Sequence, residues 1–361
     1  MICEEMKQNK IGYLLKSGRS NRLVEGMPTE FLYGYPQLKK FGYDINLIGE
    51  EELSLEAEPS KIWKVINHIT YVMVGVPGWA FWRIFCKRKI FDSFDVVFTT
   101  TNTFGICLSL LSRLRLIDCK VVFLAMGLID FGTPKRWVSF YGWALKTTRV
   151  LALSNPDARN LSKTLARKVE YLPFGVDAQF WTPAKGNLQG GDFVLSIGSD
   201  RHRDYKTLIA AWRSDFPTLK IVTKLPVQTS KPNIEIISGD WHSQVISDAE
   251  IRDMYRNAKF VVLPIRNTFQ PSGQSAALQA MACGKAVVIT DFQGLWNREL
   301  MQDQKTCFLS GPPGDIAALQ GAIAAALQNQ EDVEKVGAES RCCIEINLNV
   351  NIMASCLMNE F

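Results

Sequence analysis

FVVLPIRNTFQPSGQSAALQAMACGKAVVITD, residues 260–291, is the stretch whose reading decides the fold. It begins with a short apolar run, passes through a polar loop, and continues as a run of strong helix formers from Gln274 to Ala282. Gly284 then occupies the position after a helix end, where a positive φ is needed. A second apolar, β-branched run closes the unit. Strand, helix and strand at this spacing form a crossover unit, which requires a parallel sheet.

The same alternation extends in both directions. Residues 11–15, 44–48, 95–99, 120–125 and 149–154 form one series of short apolar runs, separated by helix-length segments. Residues 193–197, 219–223, 234–237, 260–264 and 286–290 form a second. Near-continuous Val, Ile and Leu runs between helices imply parallel strands covered on both faces. Two series predict an α/β chain of two doubly wound, Rossmann-like domains. PFGVDAQFWTP, residues 173–183, is bounded by prolines and separates them. The expected division is 1–176, 177–335, and a C-terminal helix, 336–361, packing back towards the first domain. In open parallel sheets ligands bind beyond the carboxyl ends of the strands, so the site is expected in a cleft between facing domains. No GxGxxG follows the first strand, which argues against a nicotinamide-dependent dehydrogenase.

The start of the 274–282 helix admits two readings. In one, Ser272 is an ordinary N-cap. In the other, Gly273 lets a ligand approach the backbone, and the amides of Gln274 and Ser275, with the Ser275 hydroxyl, bind a diphosphate at the positive end of the helix dipole.

PSGQSAALQAMACGKAVVITD resembles the donor-binding signature of family 4 glycosyltransferases. VEYLPFGVD, residues 169–177, is similar to the segment before that family's interdomain linker. FVLSIGSDRHRDYKTLIAAW, residues 193–212, is similar to its first C-domain strand, basic loop and helix. The resemblance covers residues 149–313 well and the N-terminal third only loosely. It implies the GT-B fold, with retaining, metal-independent transfer from a nucleotide diphosphate sugar to a glycan or lipid-linked acceptor, and no cofactor. It further implies that Arg203 and Lys206 are catalytic cations, with Arg201 and Lys224 beside them on the donor diphosphate. Such cations neutralise the departing diphosphate as a metal does elsewhere. Asp204, adjacent to Arg203, is expected to hold its guanidinium. Gln279 occupies the position of a ribose-binding acid, and Asp240 and Trp241 are expected near the base. Gly26 and Glu30 in the first loop, and Met126 and Gly127 after the fourth strand, are expected on the acceptor or sugar side.

Two departures from the pattern matter. The family's two glutamates, eight positions apart, fall here on Pro271 and Gln279, and no histidine ends the VVFLAMG strand. They keep a second reading open: a GT-B protein that binds a nucleotide-sugar or a partner without transfer.

Composition excludes several classes. A formal charge of +5 is too small to indicate a nucleic-acid binder. Nine cysteines without a CxxC pair, and three scattered histidines, suit neither a zinc centre nor a Ser-His-Asp engine. The cysteines fit a reducing cytoplasm. Residues 62–89 combine three Trp, one Tyr and two Phe with a terminal Lys-Arg-Lys cluster. They read either as a peripheral membrane-surface element at the inner face or as a buried helix followed by a basic turn.

Overall fold

The computed structural model describes residues 9–55, 60–184, 191–239 and 246–361. The chain forms two compact units. The first holds the chain up to Glu25, Phe31–Pro173 and Met353–Phe361; the second holds Gly26–Glu30 and Phe174–Ile352. The sequence reading returns the chain to the first domain at residue 336. Of that 336–361 span, only Met353–Phe361 belongs to the first unit in the structure.

In the first unit, β1 (Ile11–Leu14), α1 (Tyr35–Lys40), β2 (Ile45–Ile48), α2 (Lys61–Val74) and α3 (Gly78–Cys86) are followed by β3 (Val96–Thr99) and α4 (Asn102–Arg113). β4 (Lys120–Ala125), α5 (Lys135–Ala144), β5 (Arg149–Ala152), α6 (Asn155–Thr164) and β6 (Glu170–Tyr171) complete it. Its parallel sheet has the order β2-β1-β3-β4-β5-β6. The core lies between sheet and helices, with Val97, Phe123 and Val150 buried against Phe104, Leu108 and Leu161. The C-terminal Phe361 ring packs against Tyr13 and Phe98, at 6.1 and 6.0 Å.

The second unit runs through β7 (Phe193–Ile197), α7 (Tyr205–Ala211), β8 (Thr218–Thr223), β9 (Ile234–Ser238), α8 (Asp248–Asn257) and β10 (Val261–Leu263). α9 (Gln274–Ala282), β11 (Val287–Ile289), β12 (Phe308–Leu309), α10 (Ile316–Gln328) and α11 (Gln330–Asn347) follow, and α12 (Val350–Met358) closes the chain. The sheet order is β12-β11-β10-β7-β8-β9, again parallel throughout. The ten expected strands are all present, as the doubly wound α/β class requires. The two-residue edge strands β6 and β12 are too short for periodicity to reveal.

Two features of the second unit position its site. β7 lies between β8, its successor, and β10, reached by a crossover, so β7 and β10 flank the switch point where ligands bind in such sheets. α9 is buried along nearly its whole length, which its Ala-rich sequence permits. α11 covers it closely because residue 337 is glycine: a Cβ there would stand 2.4 Å from the Gly284 carbonyl oxygen.

Gly337→Ala therefore sets two effects against each other. Helix propensity gains about 1 kcal/mol, whereas a contact with backbone that cannot move aside costs about 1–3 kcal/mol. The contact wins, and the urea midpoint of the second unit falls at unchanged m. An unchanged or raised midpoint would show that α11 shifts freely on α9.

Candidate functional site

The loops that leave β7 and β10 are stitched together. Asp204 N–H donates to the Pro264 carbonyl (2.9 Å) and Arg266 N–H to the His202 carbonyl (2.8 Å). Between them lies Arg203, only 4% exposed. Its guanidinium sits against two glycines with positive φ. A Cβ on Gly198 would be 2.2 Å from its Nε, and one on Gly273 would be 2.8 Å from its Nη1. Any side chain at either position would displace the guanidinium.

Asp200 orients this arginine. Its Oδ2 pairs with Arg203 Nε at 2.9 Å, and its Oδ1 accepts from the Ser272 hydroxyl (2.8 Å) and the His202 amide (3.0 Å). The expectation that Asp204 holds the guanidinium is corrected. Asp204 caps α7 instead, accepting from the Thr207 amide and hydroxyl at 3.3 and 2.7 Å. The cap is the nearer use for that carboxylate, because the first turn of a helix has amides without intrahelical partners.

The two readings of the α9 start are also separated. Gly273, not Ser272, is the N-cap residue, with φ 81° and no side-chain cap. Ser272 turns away to Asp200. The first-turn amides of α9 therefore lie beside Arg203, whose buried Nη1 has no hydrogen-bond partner among the described residues. The Gln274 amide already donates to the Pro271 carbonyl at 3.2 Å, so what the start of α9 adds beside this leftover guanidinium N–H is its positive dipole end and the amides that follow, an arrangement able to receive an anion. Gln274 is buried and Ser275 half-buried at its edge, while Arg201 and Lys224 are exposed on the surrounding loops and Lys206 is exposed in the first turn of α7. The Lys224 amide donates to Ser199 Oγ, which keeps that strand end close to the Gly198 loop.

Gln279 is positioned differently from the expectation. Its side chain is fully buried, and its Nε2 donates to Glu30 Oε1 at 2.9 Å. The same oxygen accepts from Trp181 Nε1 at 2.9 Å, while Glu30 Oε2 has no hydrogen-bond partner among the described residues. Glu30, expected on the acceptor side of the first domain, is thus an interior residue of the second unit. Gly26 lies in the same Gly26–Glu30 segment, which Thr29 anchors by donating its amide and hydroxyl to Asp177 Oδ2. The chemistry accounts for the residue type at 279: an amide donates to a buried carboxylate, whereas a second carboxylate would repel it. Burial pushes the Glu30 carboxyl up to about 7, opposed by the hydrogen bonds from Gln279 and Trp181 and reinforced by the charge on Asp177.

At the strand ends of the first unit, Met126 exchanges backbone hydrogen bonds with the Asn102 side chain, at 2.9 and 3.2 Å, and Gly127 turns the chain with φ 59°. Sequence reasoning missed Asp157 there. It is buried at the start of α6, and burial pushes its carboxyl up to about 7, with Asp130 adding to the shift and the Gly127 amide opposing it. Asp200 was also missed, although its i, i+3 spacing from Arg203 was a readable signal. Trp181 carried none, because the Glu30 carboxylate to which its Nε1 donates lies 151 positions away in sequence. Asp240 and Trp241 lie outside the described residues.

Residues 219–329 match the profile of the family described as "Glycosyl transferases group 1". A search of curated proteins by sequence found no match. Among solved structures, a glycosyltransferase from Rickettsia africae superposes with TM-score 0.70 at 15% identity, covering 98% of each chain. Sucrose-phosphate synthase from Thermosynechococcus elongatus gives 0.71 at 16% identity, covering 97% of this chain and 98% of its own. Anabaena HepE in complex with UDP and glucose gives 0.67 at 12% identity, covering 98% and 99%. These likenesses identify the fold as GT-B, with two Rossmann-like domains.

A carboxyl raised by folding makes the folded state bind its proton more tightly than the unfolded state. Stability is then full below the unfolded pKa and is lost as pH rises through the folded one. For Glu30 the window runs from 4.5 to about 7. The gap is worth about 3 kcal/mol. Wild-type protein is therefore expected to lose ground to Glu30→Gln by about that amount between the two ends of the window. Urea melts across it check the claim; a pH-independent difference would mean that Glu30 titrates normally.

Proposed function

We propose that this chain, a glycosyltransferase with a group 1 region at residues 219–329, takes a sugar from a nucleoside diphosphate donor with retention and without a divalent metal. The observation that carries the reading is the unpartnered Arg203 Nη1, buried beside Gly273 at the start of α9. It supplies fixed positive charge where a leaving diphosphate needs it. The UDP and UDP-glucose complexes of Anabaena HepE, which shares the fold, support a nucleoside diphosphate there.

In this mechanism the two phosphates lie across the first-turn amides of α9, with Arg203 against the oxygen that carries the leaving charge. The bond from the anomeric carbon to that oxygen breaks as the acceptor hydroxyl approaches from the same face. The hydroxyl proton passes to the departing phosphate oxygen. The transition state is oxocarbenium-like, and charge on the diphosphate grows as the bond lengthens, so a preorganised cation stabilises it more than the ground state. Lys206, Arg201 and Lys224 form an outer ring of charge that attracts the donor. Glu30 is buried against Gln279 and Trp181, so it is not offered as a nucleophile. The acceptor is a glycan or a lipid-linked sugar, and peripheral membrane contact through residues 62–89 belongs with the lipid-linked case.

Pro271 and Gln279, which stand where the resembling family has acids, favour a second reading in which the donor is bound but not transferred. Turnover separates the two.

A thermal-shift screen of UDP-, GDP-, ADP- and dTDP-sugars in chelator should find one nucleotide that stabilises the protein. The gain is about 2.7 kcal/mol at 100 times its Kd. Arg203→Ala should lower kcat/KM about 10²-fold or more, with most of the loss in kcat. Turnover close to wild type in that variant would remove Arg203 from the mechanism. A donor-induced shift with neither transfer nor donor hydrolysis would select the second reading.

A further inference from the structure

α2 is a fourteen-residue helix without a single buried residue. Its exposed side is apolar rather than polar: Ile62, Val65, Ile69 and Met73 are 70, 59, 54 and 55% exposed, and Val72 is exposed beside them. At 3.6 residues per turn these five positions share an arc of about 100°. Lys61, Lys64 and His68 are exposed along one edge of that arc, at the same i, i+3, i+7 spacing.

The stripe cannot roll inward, because the opposite face is already committed. Asn67 Oδ1 accepts from the Trp79 amide and Thr70 Oγ1 from the Gly78 amide, both at 2.7 Å, so α2 caps the N-terminus of α3. Trp63 packs on Trp79 and Trp82, at 5.0 and 6.0 Å between centroids. The Val72 carbonyl accepts from Arg136 Nε and Trp137 Nε1 of α5, at 2.8 and 2.9 Å. Two helices, α3 and α5, thus hold the apolar arc towards solvent.

The segment's own charges have one sign, and one of its cations, Arg83, is paired with Glu50 at 3.4 Å. Residues 60–91 contain Lys61, Lys64, Arg83, Lys87, Arg88 and Lys89 and no Asp or Glu. No single described helix is long and apolar enough to cross a membrane, and α2 and α3 meet at 103°. A short amphipathic helix with an outward apolar arc, a cationic edge and exposed Trp82 nearby has the build of an element that lies in a bilayer surface. The cations match anionic headgroups, and the arc matches the acyl boundary beneath them.

We propose that α2 is the docking helix of this protein on an anionic lipid surface, inserting Ile62, Val65, Ile69, Val72 and Met73 while Lys61, Lys64 and the Lys87–Lys89 cluster contact headgroups. The inference deepens the lipid-linked case of the proposed function. It identifies the surface, the face and the lipid charge.

The test is co-sedimentation of the full chain with phosphatidylcholine vesicles, with and without roughly 30 mol% phosphatidylglycerol, at about 0.1 and about 0.5 M salt. Wild type should bind the anionic vesicles, and at least about tenfold less tightly at the higher salt. Lys61→Glu with Lys64→Glu should lower binding by a similar factor, and Ile62→Ser with Val65→Ser and Ile69→Ser should lower it at both salts. All five positions are exposed, so the thermal midpoint should stay close to wild type and separates lost docking from lost folding. Failure of wild type to bind, or binding indifferent to the triple serine variant, overturns the proposal. So does concentration-dependent dimerisation in sedimentation velocity that the serine variant abolishes, since a second copy would then own the face. No donor is present, so these outcomes stand apart from any failure of sugar transfer.

Discussion

The arrangement at the second unit's switch point depends on one constraint: a guanidinium held out of water between two glycines. Burying a cation is costly unless charge and hydrogen bonds meet it. Arg203 has one carboxylate, Asp200, and a leftover N–H. The cost is carried by the surroundings. Positive-φ glycines admit the guanidinium, backbone hydrogen bonds lock its loop to the end of β10, and Ser272 steadies Asp200. An anion beside Gly273 would complete the set, and the start of α9 already favours one through its amides and dipole.

A second arrangement explains why residue 279 is an amide. Glu30 and Gln279 are 249 positions apart in sequence, yet they share a hydrogen bond in the interior of one unit. With Glu30 buried and accepting from both Trp181 and Gln279, a carboxylate at 279 would add like charge in a region that cannot solvate it. The departure from the family pattern is thus coupled to Glu30, and the two residues are best understood as a pair. The same coupling brings Gly26–Glu30 into the second unit although the chain on either side belongs to the first.

The outward arc of α2 shows a different use of amphipathicity. In most surface helices the apolar stripe faces the core. Here polar side chains, Asn67 and Thr70, face inward and are used as caps for α3, which leaves the apolar stripe outside. Periodicity alone reports that a stripe exists. Which way it faces follows from what the other side is bonded to, and that information lies in the partners.

How much was legible follows the same line. Local sequence determined the ten main strands, the α9 start at Gly273 and the two-unit α/β class, because period, β-branching and glycine φ are properties of neighbouring residues. The resemblance, rather than local sequence, put Arg203 first among the cations of the loop after Gly198. Local sequence could not decide which acid holds that arginine, since Asp200 and Asp204 are both close in sequence and only the start of α7 claims one of them. Nor could it find the Glu30–Trp181–Gln279 set or the direction of the α2 stripe. Those are decided by which side chains the fold brings together from distant positions, and by which buried groups find partners once water is gone.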